Sequence, residues 1–235
     1  MEGMVVRFGG PACCLEFFEP RDKTQKIGPS NVELEIASAE QAAHDLNAAG
    51  VKMNAPVSGS RIVHSPTGPA TLKWQTLRFT EQLGSRPVYF MQSLTEADVI
   101  AARDKNIPVH ANQAGSLAAA VIAVNDLEQA AAGYAHIGTP GARDIELPEF
   151  GAIAREIAFQ SGSIFLLRAT DPSGPAARRL KAQGEGILAV RIAVNDLAQT
   201  RKLIGEKNVS KSKQSVLVAP ENAAGVWLQF QSAHP

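Results

Sequence analysis

Four side chains in this 235-residue chain have the chemistry that a small-molecule site needs. Arg61 presents a planar guanidinium, which binds a carboxylate or phosphate through two parallel hydrogen bonds. Trp74 offers a flat apolar surface, His110 is a candidate general base, and Glu16 is a candidate acceptor or base. The four come from separate segments, so the fold must bring them together before they form a site.

Each of these residues also has a structural explanation. Arg61 lies in a predicted strand or turn, where a surface arginine pairs with Asp or Glu. Trp74, in the alternating strand TLKWQTLRF, equally suits a sheet core. His110 lies in a non-helical junction that its imidazole would fix, and Glu16 alternates with apolar neighbours like the wet face of an edge strand. The sequence leaves both interpretations open.

The elements that must position these residues are repeated. The hexapeptide IAVNDL occurs at residues 122–127 and again at 192–197. In both copies a β-branched apolar run predicts a buried strand, over residues 117–124 and 188–194. Each run ends at an Asp suited to cap a helix, and apolar residues follow at helical spacing. The repeated unit is therefore a strand, a cap, a helix and a stop, which is Gly138 in the first of these copies.

A fainter third copy lies upstream. Residues 31–37 predict a strand, Ser38 and Gln41 form a capping box, and Gly50 predicts the helix stop. Strand-like segments follow each helix, including VKMNAPV after Gly50, so the module is βαβββ, slightly shorter in the last copy. The chain opens with MVVRFG and CCLEFFEP, which have the pattern of the second half of a module. We therefore predict three whole modules and half of a fourth, paired into two eight-stranded-like halves.

The junctions between modules are predicted where Pro, Gly and Asn cluster. They fall at residues 28–30, at NIPVHANQAG, and at DPSGPAARR over residues 171–179. The second of these junctions divides the chain into an N-terminal half, residues 1–108, and a C-terminal half, residues 109–235. The fold class predicted from this pattern is α+β, with tandem βαβββ modules forming cupped mixed sheets and helices on the outer face.

Two features resemble one known superfamily. The ending V-x-D-L of strand one, at Val124 to Leu127 and Val194 to Leu197, is similar to that of the vicinal oxygen chelate proteins, which include glyoxalase I and the extradiol dioxygenases. The stretch SGSRIVHSPTGPATLKW and the later HANQA resemble the glyoxalase-like domain branch of that superfamily more closely. The resemblance covers about residues 5 to 235.

The resemblance implies a ligand site in the cup of the N-terminal half. The catalytic residues that it implies are Glu16 and His110, and the ligand-binding residues are Asn31, Arg61, Trp74 and Asn112. Glu16 and Arg61 together suit a small anionic molecule that carries a carboxylate or carbonyl and a hydroxyl, with Trp74 covering its apolar part.

In the resembled superfamily a divalent metal is held by a His seven residues before the Asp of strand one and by a Glu in strand four. The matching strand-one positions here are Ala119, Ala189 and Asn31, and only Glu16 matches the Glu. Alanine has no donor atom, and a metal site needs three or four of them. No metal or other cofactor is therefore predicted, and a metal would need ligands outside the matched positions.

Bulk composition excludes several function classes. Lys plus Arg and Asp plus Glu both number 23, so charge gives no reason to predict nucleic acid or membrane partners. No apolar run reaches the length of about 18 residues that suggests a membrane span. No secretory signal is predicted, and the adjacent Cys13 and Cys14 do not suit a disulfide, so we predict a reduced, cytoplasmic protein.

Three functions follow as hypotheses. The first is a lyase-, isomerase- or dioxygenase-type enzyme acting on a small oxygenated molecule. The second is a metal-free protein that binds or sequesters such a molecule. The third is a non-catalytic assembly domain, because an exposed strand edge favours pairing with a second copy, and a homodimer is predicted.

Overall fold

The computed structural model describes residues 3–7, 14–18, 28–65, 68–104, 110–160, 162–205 and 215–233. Contacts divide the chain into two compact units. The larger comprises Met1–Ser30, Gly84–Pro87 and Val109–Pro235, and the smaller comprises Asn31–Leu83 and Val88–Pro108. Helices are interspersed with strands along the chain as the module pattern predicts, and the strands of the modules form mixed sheets. The α+β prediction is therefore confirmed. The division into residues 1–108 and 109–235 stays a prediction.

The smaller unit is one βαβββ module followed by a further helix. Its elements are β3 (Val32–Glu35), α1 (Ala39–Ala48), β4 (Val57–Ser65), β5 (Gly68–Leu77), β6 (Val88–Ser93) and α2 (Ala97–Asp104). The strands form a sheet in the order β3-β6-β5-β4. β3 is parallel to β6, and the other pairs are antiparallel. The connection between the two parallel strands runs through α1, β4 and β5, which gives it the length that a parallel crossover requires.

Helix α1 covers one face of this sheet. The Ser38 hydroxyl caps it by accepting a hydrogen bond from the Gln41 backbone N–H at 3.2 Å, as the sequence predicts. Its buried residues, Ala39, Ala43 and Leu46, lie at helical spacing. The helix packs on β5 and β6, whose buried side chains on that side include Leu77 and Phe90. The apolar spacing of the helix therefore fixes which sheet face is the core of the unit.

The larger unit contains two modules joined in one sheet. Their elements are β7 (Ala114–Ala123), α3 (Leu127–Ala132), β8 (Thr139–Pro140), β9 (Ile145–Leu147), β10 (Ala152–Phe159), β11 (Gly162–Ala169), α4 (Pro175–Gln183), β12 (Gly186–Val194), α5 (Leu197–Ile204), β13 (Ser215–Val218) and β14 (Trp227–Ser232). The strand order is β13-β14-β12-β7-β11-β10-β8, with β9 pairing to β10. The first strands of the two modules, β7 and β12, pair antiparallel at the centre.

Both copies of IAVNDL cap a helix in the predicted way. Asp126 and Asp196 accept hydrogen bonds from the backbone N–H of Gln129 and Gln199, at 3.0 and 2.8 Å. The predicted order of strand, cap and helix is thus confirmed in all three modules. Helix α3 is shorter than its apolar spacing predicts, because it ends at Ala132 and turns continue to Gly138. Tyr134 in these turns is fully buried, and its hydroxyl donates to the Ser85 carbonyl.

One face of the eight-stranded sheet is covered by the chain itself. A 3-10 turn at Pro148–Phe150 and helix α4 supply Phe150 and Ala176, both fully buried. They pack in one cluster with Val121, Leu167 and Leu217 of the sheet. The Phe150 and Trp227 rings meet edge to face, with their centroids 6.4 Å apart. We call this covered surface the filled face.

Two local predictions differ from the structure, and one helix was not predicted. Residues 171–179, predicted as a junction, include the start of α4, because Pro175 occupies the first turn, where its missing N–H costs nothing. The strand predicted at VKMNAPV begins only at Val57, and Met53 makes an isolated bridge to Phe79. Helix α2 was not anticipated.

The predicted opening strands are present as a hairpin. β1 (Gly3–Arg7) and β2 (Cys14–Phe18) pair antiparallel, with Val5 opposite Glu16. Among the described residues they form a sheet separate from the four strands of the smaller unit, where a single eight-stranded-like half was predicted. Cys13 lies outside the described residues, so the prediction about the two cysteines is not tested.

Candidate functional site

The smaller unit has one sheet face that α1 does not cover. Opposite residues on paired strands share a face, and every second residue along a strand returns to it. Trp74 is opposite Gly59 and Ser93, Thr76 is opposite Met91, and Tyr89 is beside Glu33. We call this surface the open face; it carries Glu33, Glu35, Val57, Gly59, Arg61, Leu72, Trp74, Thr76, Tyr89, Met91 and Ser93.

Trp74 lies flat over the neighbouring strand because its partner there has no side chain. A Cβ added to Gly59 would stand 2.6 Å from indole atoms Cε2 and Nε1. Glycine within a strand often marks such a close approach. The half-buried indole therefore presents a flat apolar area on the open face, and Gly59 is the residue that permits it.

Arg61 lies on the same face as Trp74. It is two residues beyond Gly59 on β4 and opposite Leu72 on β5, which is two residues before Trp74. Arg61 is solvent-exposed, whereas Leu72 is buried. The structure therefore brings the predicted cation and the predicted aromatic surface to one face of one sheet, at neighbouring cross-strand positions.

A second polar group occupies the other side of the open face. The Tyr89 hydroxyl donates a hydrogen bond to the Glu33 carboxylate. The Arg78 guanidinium lies over the Tyr89 ring, with Cζ 4.3 Å from its centroid. Glu35, two residues along β3 from Glu33, adds another exposed carboxylate. The open face thus offers cations, carboxylates and an aromatic surface.

Glu33, Arg78 and Tyr89 are candidate ligand contacts that the sequence did not predict. The alternation of apolar and acidic residues in NVELEIAS was the available signal for Glu33. No sequence signal pairs Arg78 with Tyr89, because they meet only through the register of β5 with β6.

The remaining predicted residues divide between the two units. Asn31 directly precedes β3 and is exposed, at the end of the open face. Glu16 is in β2 and belongs to the larger unit, as do His110 and Asn112. The open face of the smaller unit therefore contains Arg61 and Trp74 from the predicted set, with Asn31 beside it.

His110 and Asn112 form the turn that leads into β7. The His110 carbonyl accepts from the Gln113 N–H at 2.7 Å, and the half-buried imidazole lies in this turn. The Asn112 side-chain oxygen accepts from the Ala114 N–H at 3.3 Å, and its backbone oxygen accepts from the Thr200 hydroxyl at 3.1 Å. These bonds give both residues a structural role at the start of the strand.

A divalent metal of the kind found in the resembled superfamily does not fit the described residues. Ala119 and Ala189, at the matched strand-one positions, are buried and have no donor atom. Within the described ranges, no three His, Cys, Asp or Glu side chains are grouped so as to hold a metal ion. The matched positions therefore supply no metal centre in the larger unit.

The filled face has a polar centre instead. Arg191 lies opposite Ala119 on β7 and beside Gln229 on β14, and only 7% of it is exposed. Its Nε donates to the Gln229 side-chain oxygen at 2.7 Å. Burial lowers the pKa of the guanidinium, and the charges of Glu149 and Glu156 oppose that shift. Arg191 lies inside an apolar strand, and the sequence did not predict it as a functional residue.

Residues 14–138 match the model of a family described as a glyoxalase-like domain, which is more than half of the chain. Among solved structures, methylmalonyl-CoA epimerase from Mycobacterium tuberculosis is 20% identical, with a TM-score of 0.47, and the match covers 55% of this chain and 94% of that one. A hypothetical protein from Staphylococcus aureus is 13% identical, with a TM-score of 0.55, and the match covers 86% of this chain and 66% of that one. These likenesses concern the fold alone.

A Streptomyces coelicolor methylmalonyl-CoA epimerase variant, solved in complex with 2-nitronate-propionyl-CoA, is 18% identical with a TM-score of 0.42, and the match covers 51% of this chain and 97% of that one. No curated protein sequence matches the chain. Within the part of the chain that the structure describes, no helix is long and apolar enough to cross a membrane.

Proposed function

The chain belongs to the glyoxalase-like domain family of the vicinal oxygen chelate superfamily, and on that basis we propose that it binds a small oxygenated, anionic molecule on the open face. The observation that carries the proposal is that Arg61 and Trp74 share this face. Arg61 binds the carboxylate of the ligand, and the Trp74 indole covers its flat apolar part.

Polar residues around this pair extend the proposal. The Glu33 carboxylate accepts a hydrogen bond from a hydroxyl of the ligand, and the Tyr89 hydroxyl donates to that group or accepts from it. Asn31 offers an amide at the end of the face. Glu16 and His110 are the proposed catalytic residues, as acceptor and general base, and Asn112 is a further proposed ligand contact.

A flat aromatic acid with hydroxyl groups tests the binding site. We expect 3,4-dihydroxybenzoate, titrated calorimetrically into the full chain, to bind more tightly than catechol, which lacks the carboxylate. Arg61→Ala should remove that preference, with a loss of about tenfold or more in affinity for the acid. The matched control is Arg143→Ala, an exposed arginine of the larger unit. Equal binding of both compounds, or no effect of Arg61→Ala, contradicts the proposal.

Metal content separates the enzyme from the binding protein. Elemental analysis of protein purified without added metal gives the number of bound ions per chain. One transition ion per chain favours a glyoxalase- or dioxygenase-like enzyme, with ligands outside the matched positions. Binding of the aromatic acid by metal-free protein favours the sequestering function, which Ala119 and Ala189 support.

The edge of the smaller sheet favours an additional role in assembly. β4 is the last strand in the order β3-β6-β5-β4, and Val57 and Ile62 on it are 62% and 73% exposed. An apolar edge strand favours pairing with another chain. We propose a homodimer in the cytoplasm, to be checked by analytical ultracentrifugation. A sedimentation profile of the monomer alone at micromolar concentration contradicts it.

A further inference from the structure

The filled face contains a cation whose hydrogen-bonding capacity the described chain uses only in part. From the geometry around Arg191 we infer that the larger unit has a second ligand site, in which this guanidinium binds the carboxylate of a small hydroxy acid. This site is independent of the open face and of the function proposed for it.

The first observation concerns the two terminal nitrogens of Arg191. The side chain donates through Nε to Gln229 at 2.7 Å, and its Cζ lies 4.2 Å from the centroid of the Phe165 ring. Among the described residues no acceptor bonds to Nη1 or Nη2. These atoms are also not among the fully buried, unpartnered polar atoms of the described side chains, so they keep some contact with solvent. A nearly buried guanidinium therefore retains an unpaired edge that a ligand can reach.

The second observation is that nearby carboxylates balance the charge of Arg191 without contacting it. Glu149 and Glu156 both act on Arg191 electrostatically, yet neither forms an ion pair with it. Glu149 instead accepts from the Gln229 amide at 3.0 Å, and the Ser163 hydroxyl donates to Glu156. A buried arginine held only for stability normally has its donors paired. This one is held in place while its binding edge stays available.

The Arg191 side chain can cross the neighbouring strand because that strand presents a small residue to it. β7 lies between β12, which carries Arg191, and β11, which carries Phe165. The residue of β7 opposite Arg191 is Ala119, so the guanidinium crosses β7 above a methyl group to reach the Phe165 ring. The same alanine that excludes a metal ligand at this position admits a fixed cation.

The surroundings define the class of ligand. Two parallel N–H groups on a guanidinium edge match the geometry of a carboxylate. The charges of Glu149 and Glu156 disfavour a dianion, and Gln229, Ser215 and Glu149 offer oxygens that accept from a hydroxyl. A small monocarboxylate that carries a hydroxyl, of which glycolate is the simplest, meets these requirements.

Calorimetric titration of the full chain with glycolate tests this site. We expect saturable binding of one glycolate per chain. Arg191→Lys keeps the positive charge but loses the paired donors, so it should weaken binding about tenfold or more. The matched control Arg168→Lys changes an exposed arginine on β11 and should leave the affinity unchanged.

A second variant keeps the test decisive if Arg191→Lys does not fold. Ala119→Val adds two methyl groups under the guanidinium and leaves the charge in place, and it should also weaken glycolate binding about tenfold. Absence of glycolate binding to the wild-type chain overturns the inference. So does an unchanged affinity in a folded Arg191→Lys or Ala119→Val protein.

Discussion

The open face and the filled face are equivalent surfaces of the same repeated module, but connecting segments cover the filled face, whereas the open face carries exposed charged side chains. Each lies across the sheet from a helix capped by Ser38, Asp126 or Asp196. The filled face is covered by the turn at Pro148–Phe150 and by α4, which make it a hydrophobic core. The open face carries exposed Arg61, Glu33 and Glu35. Module architecture therefore determines the scaffold, and the connecting segments determine how much of its second face is covered.

The largest expected effect tests whether the filled face is a core. Phe150→Ala removes a fully buried ring that packs against Trp227, and we expect it to lower the free energy of unfolding by about 3–5 kcal/mol. The control is Val57→Ala on β4, which lies opposite Thr76 on the open face, is 62% exposed and should cost less than about 0.5 kcal/mol. Urea unfolding followed by circular dichroism measures both. Similar costs for the two variants would remove the distinction between the faces.

Gly59→Ala tests whether the Trp74 indole lies flat on the open face. The added Cβ meets the indole at 2.6 Å, so Trp74 must move off the strand, at a cost of about 1–3 kcal/mol. In a Trp227→Phe background, where Trp74 is the remaining tryptophan, its emission should shift to the red. Gly115→Ala is the matched control, because nothing lies within 4 Å of its added Cβ. An unchanged spectrum in the Gly59 variant would show that the indole does not lie flat over β4.

Removing a helix cap tests whether the helices of the smaller and the larger unit depend equally on their capping residues. Ser38→Ala in the smaller unit and Asp196→Ala in the larger one each delete an acceptor for a first-turn N–H. We expect each to lower the free energy of unfolding by about 1 kcal/mol. Asp196→Asn, which keeps a capping oxygen, should retain most of the stability. A large cost in one unit and none in the other would show that the modules do not depend on their caps alike.

The smallest expected effect concerns an ion pair of the larger unit. Arg155 donates to both oxygens of Glu128 at 2.7 Å, and these hydrogen bonds lower the pKa of that exposed carboxyl. A carboxyl whose pKa is lower in the folded state stabilises the protein above its unfolded pKa, near 4.5, and this contribution is lost as the pH falls through the folded value.

Glu128→Gln should therefore lower the melting temperature slightly at neutral pH, and the difference from the wild type should vanish under acidic conditions. Melting curves recorded between pH 3 and pH 7 measure this, at roughly the pH range where carboxyls titrate. Glu146→Gln, an exposed glutamate without a resolved ion pair among the described residues, is the control. A difference that persists at the lowest pH contradicts the assignment to Glu128.

The sequence by itself determined the local architecture. Apolar spacing and capping residues predicted three strand–cap–helix units, and the caps at Ser38, Asp126 and Asp196 are where they were expected. It also showed that Ala119 and Ala189 supply no metal ligand. These features depend on neighbours within about one helical turn or one strand, so the order of residues encodes them directly.

Only the tertiary structure decided which faces are open and which side chains meet. Arg61 and Trp74 share a face because of the register of β4 with β5, and Arg191 reaches Phe165 because β7 presents Ala119 between them. Pro175 is a helix start rather than a break because the following residues pack on the filled face. Such outcomes depend on contacts between residues distant in the chain, which hydrophobic periodicity does not specify.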